Sequence, residues 1–173
     1  MVYIIIPVRM ILLPNLSDLF DTEDFMFTDT PDPIIATLTD TARTNFARMT
    51  LGLLSFELAG FAVGRSGYNA TNPVHILPID SSLTDLEDHF FPPSGIKVLD
   101  AIETPTPTTI VADCRLSKDD AIAALGEIGV WAQIVYSINA PDIGTTFLLA
   151  VSHFPIVTKT LRQAILYRMI IQF

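Results

Sequence analysis

The sequence predicts an α+β fold: a predominantly antiparallel β-sheet or sandwich with one long N-terminal amphipathic helix and an extended N-terminal arm. Strand-like segments separated by turn formers follow one another through the second half of the 173-residue chain. Apolar residues recur at helical spacing nearer its beginning. Because this length suits one sizeable core, we expect an arm over residues 1–31 and a single α+β domain over residues 32–173.

The apolar opening, MVYIIIPVRMILLP, predicts an extended arm or edge strand. Crossing a membrane takes about 20 predominantly apolar residues, and Pro7 and Pro14 interrupt this shorter run. A secretory signal is also disfavoured, since no positive region precedes the run and no small-residue cleavage site follows it. We expect residues 1–13 to pair with or pack on an adjacent subunit, where an added strand satisfies backbone groups at a sheet edge.

The next segment, NLSDLFDTEDFMFTDTPDP, interleaves acidic residues with apolar and aromatic ones. A calcium-binding loop needs a central glycine, which this segment lacks. Acidic residues mixed with aromatic ones are typical of an arm that docks on a partner. We therefore interpret it as part of the docking arm rather than as a metal site.

A single amphipathic helix is predicted from about residue 33 to residue 51. Asp32 and Pro33 suit the N-cap and the first helical position, and Gly52 suits the C-terminal stop. The apolar positions that recur at intervals of three and four are Leu38, Ala42, Phe46, Met49 and Leu53.

Strands dominate after the helix. SFELAGFAVG is strand-like, GRSGYNATNP is rich in turn formers, and a short helical turn is expected over residues 83–89 before Pro92 and Pro93. Turn formers in ETPTPT, SKDDAIAALGE and NAPDIGT separate the later segments. The predicted later strands lie near residues 96–103, 108–116, 128–138, 145–154 and 161–173.

The apolar stretch around Trp131 suits a strand covered on both faces, which implies a second layer from the helix or from a neighbouring subunit. Half of the residues are apolar, 17% are charged, and the mean hydropathy is +0.45. These values predict that some apolar surface meets another subunit. The net charge of −9 disfavours nucleic acid as a partner, because binding along phosphates relies on clustered Lys and Arg.

No catalytic, cofactor-binding or metal-ligating residue is predicted. Cys114 alternates with its neighbours along a strand, so a small buried hydrophobe is favoured over a nucleophile using His75 or His153. The three histidines lack metal-ligand spacing, and we expect each to be packed or interfacial. Glu127 has no acid or base partner that the sequence reveals. The lone cysteine also excludes an internal disulfide.

Glycines after FAVG do not match a phosphate-binding loop, because neither GxxxxGK[ST] nor GxGxxG is present. We expect a tight turn that exposes Arg65 and Tyr68. Together with the arm, these two side chains complete the predicted partner-binding set. The set is Tyr3, Ile4, Ile5, Ile6, Leu12, Leu13, Leu19, Phe20, Phe25, Phe27, Arg65 and Tyr68.

Three segments resemble the particle-proximal N-terminal domains of tailed-bacteriophage tail-fibre and tail-collar proteins: FELAGFAVGRSGYNATNP, LGEIGVWAQI and FLLAVSHFPIVTKT. The resemblance implies a virion structural protein without enzymatic activity, assembled in the host cytoplasm into the tail. Its partners would be other tail proteins and copies of itself, in a trimer or ring. The chain ends at RMIIQF without a shaft or receptor-binding tip, so a baseplate, collar or fibre-adaptor component is expected.

Two alternatives from other classes remain open. One is a small cysteine-dependent hydrolase that uses Cys114 with His153 or His75. The other is a peripheral membrane protein anchored by residues 3–13, which the acidic charge disfavours because anionic lipid surfaces repel it.

Overall fold

The computed structural model describes residues 4–6, 34–92 and 95–173, in which strands predominate. The predicted α+β class with a dominant antiparallel sheet is confirmed. In chain order the elements are β1 (Ile4–Ile6), β2 (Ile34–Leu38), α1 (Asp40–Thr50), β3 (Leu54–Gly64), β4 (Tyr68–Asn69), β5 (Asn72–Ile76), β6 (His89–Phe91), β7 (Ala101–Thr106), β8 (Thr109–Leu116), β9 (Ala124–Ser137), β10 (Thr146–Thr158) and β11 (Ile165–Gln172).

The strands form a large sheet, a small sheet and a separate hairpin. The large sheet has six strands in the order β1-β2-β10-β9-β3-β6, and the small sheet has three in the order β11-β8-β7. β4 pairs only with β5. Every pairing is antiparallel, and the long strands β3, β9 and β10 lie side by side at the centre of the large sheet.

One face of the large sheet packs against the small sheet and forms the main core. The rings of Phe154 in β10 and Tyr167 in β11 approach to 5.2 Å between centroids, across the two layers. Buried residues of β3, β8, β9, β10 and β11 belong to this one cluster. The strict alternation of buried positions along β11 follows from the strand period of two, because only one of its faces meets the core.

The other face of the large sheet is covered by residues 77–88, which we call the cover. Leu86 of the cover packs with Ala62, Trp131, Leu148 and Val151, and all five side chains are buried. The stretch around Trp131 is therefore apolar on both faces because the small sheet lies on one side and the cover on the other. The expected contribution of the helix is present on the main-core face, where Ala42, Phe46 and Met49 pack, and the other face is covered by this irregular segment of the same chain.

The predicted helix starts too early. The segment IIATL forms strand β2, which pairs with β1 and β10, and α1 begins only at Asp40. Thr39 is the N-cap, and its hydroxyl accepts a hydrogen bond from the Ala42 amide at 3.1 Å. The two adjacent isoleucines favour a strand, and Leu38, which matched the helical spacing, is buried in β2.

The predicted end of the helix is confirmed. Gly52 has a φ of +70°, and its amide donates to the Met49 carbonyl at 2.9 Å. The Leu53 amide donates to the Arg48 carbonyl at 2.9 Å, which completes a Schellman motif. Glycine is favoured here because it adopts the left-handed conformation without a Cβ penalty.

One further expectation is wrong, and another holds only in part. Residues 83–89 form turns and the start of β6 rather than a helical turn, because the Glu87 and Asp88 amides donate to the Glu127 carboxylate instead of to earlier carbonyls. ETPTPT does contain the expected turn, at residues 107–108, but its first four residues extend β7, an edge strand that is exposed along its whole length. Pro105 is tolerated there because an edge strand has one side without ladder partners.

Candidate functional site

A row of polar side chains crosses the large sheet beneath the end of the cover. His89 in β6 is opposite Gly64 in β3, Gly64 is opposite Glu127 in β9, and Glu127 is opposite His153 in β10. Directly opposed residues of neighbouring strands project from the same face of a sheet. The row therefore lies on the covered face, which it shares with Trp131, whose ring is 5.7 Å from that of His89.

Glu127 is a fully buried carboxylate held by backbone amides. Its side chain is 0% exposed and accepts hydrogen bonds from the amides of Asp88 at 2.8 Å, Glu87 at 3.1 Å and Ser66 at 3.4 Å. Burial raises the pKa of Glu127, and the three amides and His153 oppose that rise. The carboxylate joins the turn after β3 to the end of the cover.

His153 is equally enclosed and contacts the other end of the cover. Its Nδ1 lies 3.0 Å from the Leu77 carbonyl oxygen. Because a carbonyl oxygen only accepts, Nδ1 carries a proton and donates it to this bond. Nε2 then faces Glu127, 4.0 Å from Oε2, and has no hydrogen-bond partner among the described residues.

Glycines create the space for this pair. A Cβ on Gly64 would lie 2.1 Å from Glu127 Oε1, and one on Gly67 would lie 2.9 Å from the His153 ring. At Gly126 a Cβ would approach the Tyr68 ring to 2.3 Å. Each contact is shorter than side chains tolerate, so the turn after β3 lies directly against β9 and β10 only because these positions are glycine.

The site is suited to holding segments together rather than to turnover. Glu127 and His153 have fully buried side chains, so a substrate has no access to either of them. Within residues 34–92 and 95–173, no group of three or more His, Cys, Asp or Glu side chains is arranged to hold a metal ion. The chemistry left to the pair is proton exchange and hydrogen bonding to the cover.

Cys114 and the remaining histidines lie elsewhere. Cys114 is 0% exposed in β8, as predicted, and burial raises the pKa of its thiol well above the ordinary value. His75 is exposed on β5. His89 is half-buried, and its Nδ1 lies 3.0 Å from Asp85 Oδ1. The structure gives Cys114 no histidine partner among the described side-chain contacts.

The predicted partner-binding residues fall into three groups. Arg65 is exposed, pairs with Asp88 at 3.1 Å and lies over the Phe90 ring, whereas Tyr68 is half-buried against Gly126. Ile4, Ile5 and Ile6 form β1, whose backbone pairs with β2 of the same chain. Outside the described residues lie Tyr3, Leu12, Leu13, Leu19, Phe20, Phe25 and Phe27.

An exposed apolar surface lies at one end of the large sheet, and sequence reasoning did not identify it. Leu51 is 72% exposed just after α1, and Ile138 is 66% exposed just after β9. They are neighbours because the Ile138 amide donates to the Leu53 carbonyl at 2.9 Å. We use the name end surface for the five exposed apolar residues at this end of the sheet, which are Leu51, Val135, Tyr136, Ile138 and Ile143.

The charges beside the end surface neutralise each other. Arg48 near the end of α1 bonds Asp142 in the loop after β9 at 2.5 Å. This hydrogen bond lowers the pKa of Asp142, so both groups are charged at neutral pH. The pair ties the helix to the loop.

A second buried polar cluster lies at the opposite end of the large sheet. Lys159 is 1% exposed, and its Nζ donates to the Lys118 carbonyl at 3.1 Å. Burial lowers the pKa of Lys159, while nearby Asp120 opposes the shift. Asp120 pairs with Lys97 and accepts the Ser117 amide at 2.7 Å. These contacts fix the loop between β8 and β9.

The Glu127–His153 contact corrects the expectation that Glu127 lacks a partner. The two residues meet because β9 and β10 form a hairpin whose register places them opposite each other. The turn signal in NAPDIGT predicts the hairpin. Its register includes an irregularity between Leu148 and Ala150, which turn chemistry alone does not reveal.

No family model, curated protein or solved structure matches this chain. In the described part of the chain, no helix is both long enough and apolar enough to span a membrane.

Proposed function

We propose that this chain is a structural component that assembles through subunit contacts, of the kind found in a phage tail baseplate, collar or tail-fibre adaptor. The observation that carries the proposal is the exposed apolar end surface. A chain with a net charge of −9 repels its own copies over most of its surface. The end surface offers a contact at which apolar area is buried and carboxylates are not brought together.

Exposed apolar side chains gathered at one end of a sheet suit an interface. Its five side chains are each between 44% and 72% exposed. Contiguous apolar patches beyond a few hundred Å² are rare on monomers and mark interaction sites. Buried at roughly 25 cal/mol per Å², such a patch contributes several kcal/mol toward association, before the entropic cost of binding.

The assignment to a phage tail is supported by the three segments that resemble tail-fibre and tail-collar domains. They begin in β3, β9 and β10 respectively, which are neighbours at the centre of the large sheet. The resemblance thus concerns three adjacent strands rather than scattered pieces. On this proposal the chain acts in the virion tail, with other tail proteins and copies of itself as partners.

The extended arm is the second element of the proposal. β1 lies at the edge of the large sheet, where Ile4, Ile5 and Ile6 are opposite Ala36, Ile35 and Ile34. The same antiparallel pairing, made with β2 of a neighbouring subunit, would link two chains through backbone hydrogen bonds. We propose that residues 1–31 act in this way during assembly.

Neither alternative function gains a supporting observation. A nucleophilic cysteine needs access and a lowered pKa, whereas Cys114 is 0% exposed and burial raises its thiol pKa. The arm residues invoked for a membrane anchor include Ile4–Ile6, which pair with β2 as an edge strand.

Light scattering of the purified chain over a range of concentrations tests the proposal. The monomer mass is 19.0 kDa, and we expect a concentration-dependent trimer or larger ring. Leu51→Asp and Ile138→Asp should return the mass to that of a monomer. Leu161→Asp is the matched control, because Leu161 is also exposed, at 60%, but lies at the opposite end of the large sheet.

Deletion of residues 1–31 tests the arm separately and should leave a folded core that assembles less. A wild-type chain that stays monomeric at every concentration would overturn the assembly proposal. If an oligomer survives both end-surface substitutions but dissociates without the arm, the interface lies on the arm, and the proposed role of the end surface is wrong.

A further inference from the structure

Both ends of the cover are attached to one buried pair of titratable side chains. His153 donates to the carbonyl of Leu77, where the cover begins, and Glu127 accepts the amides of Glu87 and Asp88, where it ends. We propose that Glu127 and His153 share a single proton that fastens the cover to the large sheet, so that loss of this proton loosens the cover.

The need for a proton follows from the atoms that face each other. Because Nδ1 of His153 is occupied by the Leu77 carbonyl, a neutral ring presents the lone pair of Nε2 to Oε2 of Glu127 at 4.0 Å. Two acceptors without a proton between them repel. One proton makes the contact attractive: an imidazolium and a carboxylate attract each other across 4.0 Å, and a carboxylic acid would donate to Nε2 once the two atoms approach by about 1 Å.

The charged groups around the pair have partners of their own. On the cover and β6, Asp85 contacts His89, and Asp88 pairs with Arg65 from the turn after β3. Glu87 accepts the Ser66 hydroxyl at 2.5 Å. Each of these contacts is at least partly exposed, whereas both members of the pair are enclosed.

The direction of the pH effect follows from linkage. Burial raises the pKa of Glu127, so the folded protein holds this proton at pH values where an unfolded carboxyl has lost it. The stabilisation is fully present below the unfolded pKa and is lost as pH rises through the folded value. The cover is therefore expected to loosen as the pH is raised, which agrees with the geometry of the two acceptors.

Trp131 reports directly on the cover, because it is the only tryptophan of the chain and packs beneath Leu86. We would measure acrylamide quenching of its fluorescence and hydrogen exchange of residues 77–88 from about pH 5 to pH 9. Above the midpoint, the equilibrium constant for opening of the cover should rise by up to about tenfold per pH unit, which is the slope expected when one proton is released. This rise comes in addition to the ordinary increase of the intrinsic exchange rate with pH. The amides of α1 should show no such excess.

Substitutions distinguish the pH effect of the Glu127–His153 pair from that of the other two histidines. Glu127→Gln has no proton to release in this pH range, so the step should disappear, while the amide group that replaces Oε2 loses the Glu87 bond and makes the cover weaker at every pH. His153→Gln should also abolish the step. His75→Gln, at an exposed histidine, should retain it. His89→Gln should retain it too, which would exclude direct quenching of Trp131 by the nearby His89 ring.

The results that would overturn the proposal are specific. The first is a wild-type chain whose quenching and exchange show no excess pH dependence. The second is a step that persists unchanged in Glu127→Gln and His153→Gln, or one that vanishes in His89→Gln. Far-UV circular dichroism checks that each variant folds. If neither pair variant folds, the wild-type comparison of the Glu87 and Asp88 amides with those of α1 still decides the question.

Discussion

Gly64→Ala is the most demanding test of the polar row. A methyl group there would lie 2.1 Å from Glu127 Oε1 and 2.6 Å from the Asp88 carbonyl oxygen, where contacts below 3.0 Å do not occur. To reach 3.0 Å the carboxylate would have to move by about 0.9 Å and the cover backbone by about 0.4 Å, an overpacking that costs about 1 to 3 kcal/mol. Displacing the carboxylate also weakens its hydrogen bonds to Ser66 and Asp88, each worth about 1.5 to 3 kcal/mol for a charged acceptor.

If each of these two bonds loses about half of its strength, the expected loss is about 3 to 6 kcal/mol, a large share of the total stability of about 5 to 15 kcal/mol for a domain. Urea unfolding followed by Trp131 fluorescence and by circular dichroism measures this loss. Gly144→Ala is the control, since no atom lies within 4 Å of its added Cβ and only its φ of +85° opposes the change. That conformational cost is about 1 to 2 kcal/mol.

A double-mutant cycle identifies the cause of the loss. Placed in a Glu127→Ala background, Gly64→Ala should cost about 1 to 3 kcal/mol less, because the nearest clashing atoms are gone. The reasoning is refuted if Gly64→Ala costs no more than Gly144→Ala, or if its cost is unchanged without the carboxylate.

Two further predictions concern buried polar atoms of the main core. The Tyr167 hydroxyl is buried without a hydrogen-bond partner among the described residues, so Tyr167→Phe should stabilise the fold by about 1 kcal/mol in urea unfolding, whereas Tyr136→Phe at an exposed ring should change nothing. A destabilised Tyr167→Phe variant would show that the hydroxyl is satisfied. The Cys114 thiol should not react with a disulfide reagent until the chain is unfolded, and fast labelling of the native protein would contradict its burial in β8.

The sequence predicts those parts of the fold in which local pattern and tertiary context agree. The end of α1 was predictable because Gly52 fits a left-handed position, and Cys114 was predictable because its neighbours alternate along a strand. The start of α1 was not predictable. Leu38 fits the helical spacing, but residues 34–38 form a strand of the large sheet because β2 pairs with β10.

The polar row could not be predicted from the sequence. Its members come from four strands, and their alignment depends on register irregularities in both pairings of β9. The glycines that make room for the row look like ordinary turn formers in a sequence. Only the cross-strand register shows that Gly64 is opposite both Glu127 and His89.

The buried carboxylate and the irregular cover depend on each other. A segment that lies on a sheet face without strand pairing has amides that find no ladder partner, and each one buried unsatisfied costs about 1 to 3 kcal/mol. A carboxylate buried alone is also costly, and Glu127 accepts two such amides from the cover and one from the turn after β3. Glu127 and His153 stand in otherwise apolar strands because they attach the cover. Neither a catalytic role nor a subunit contact is needed to account for them.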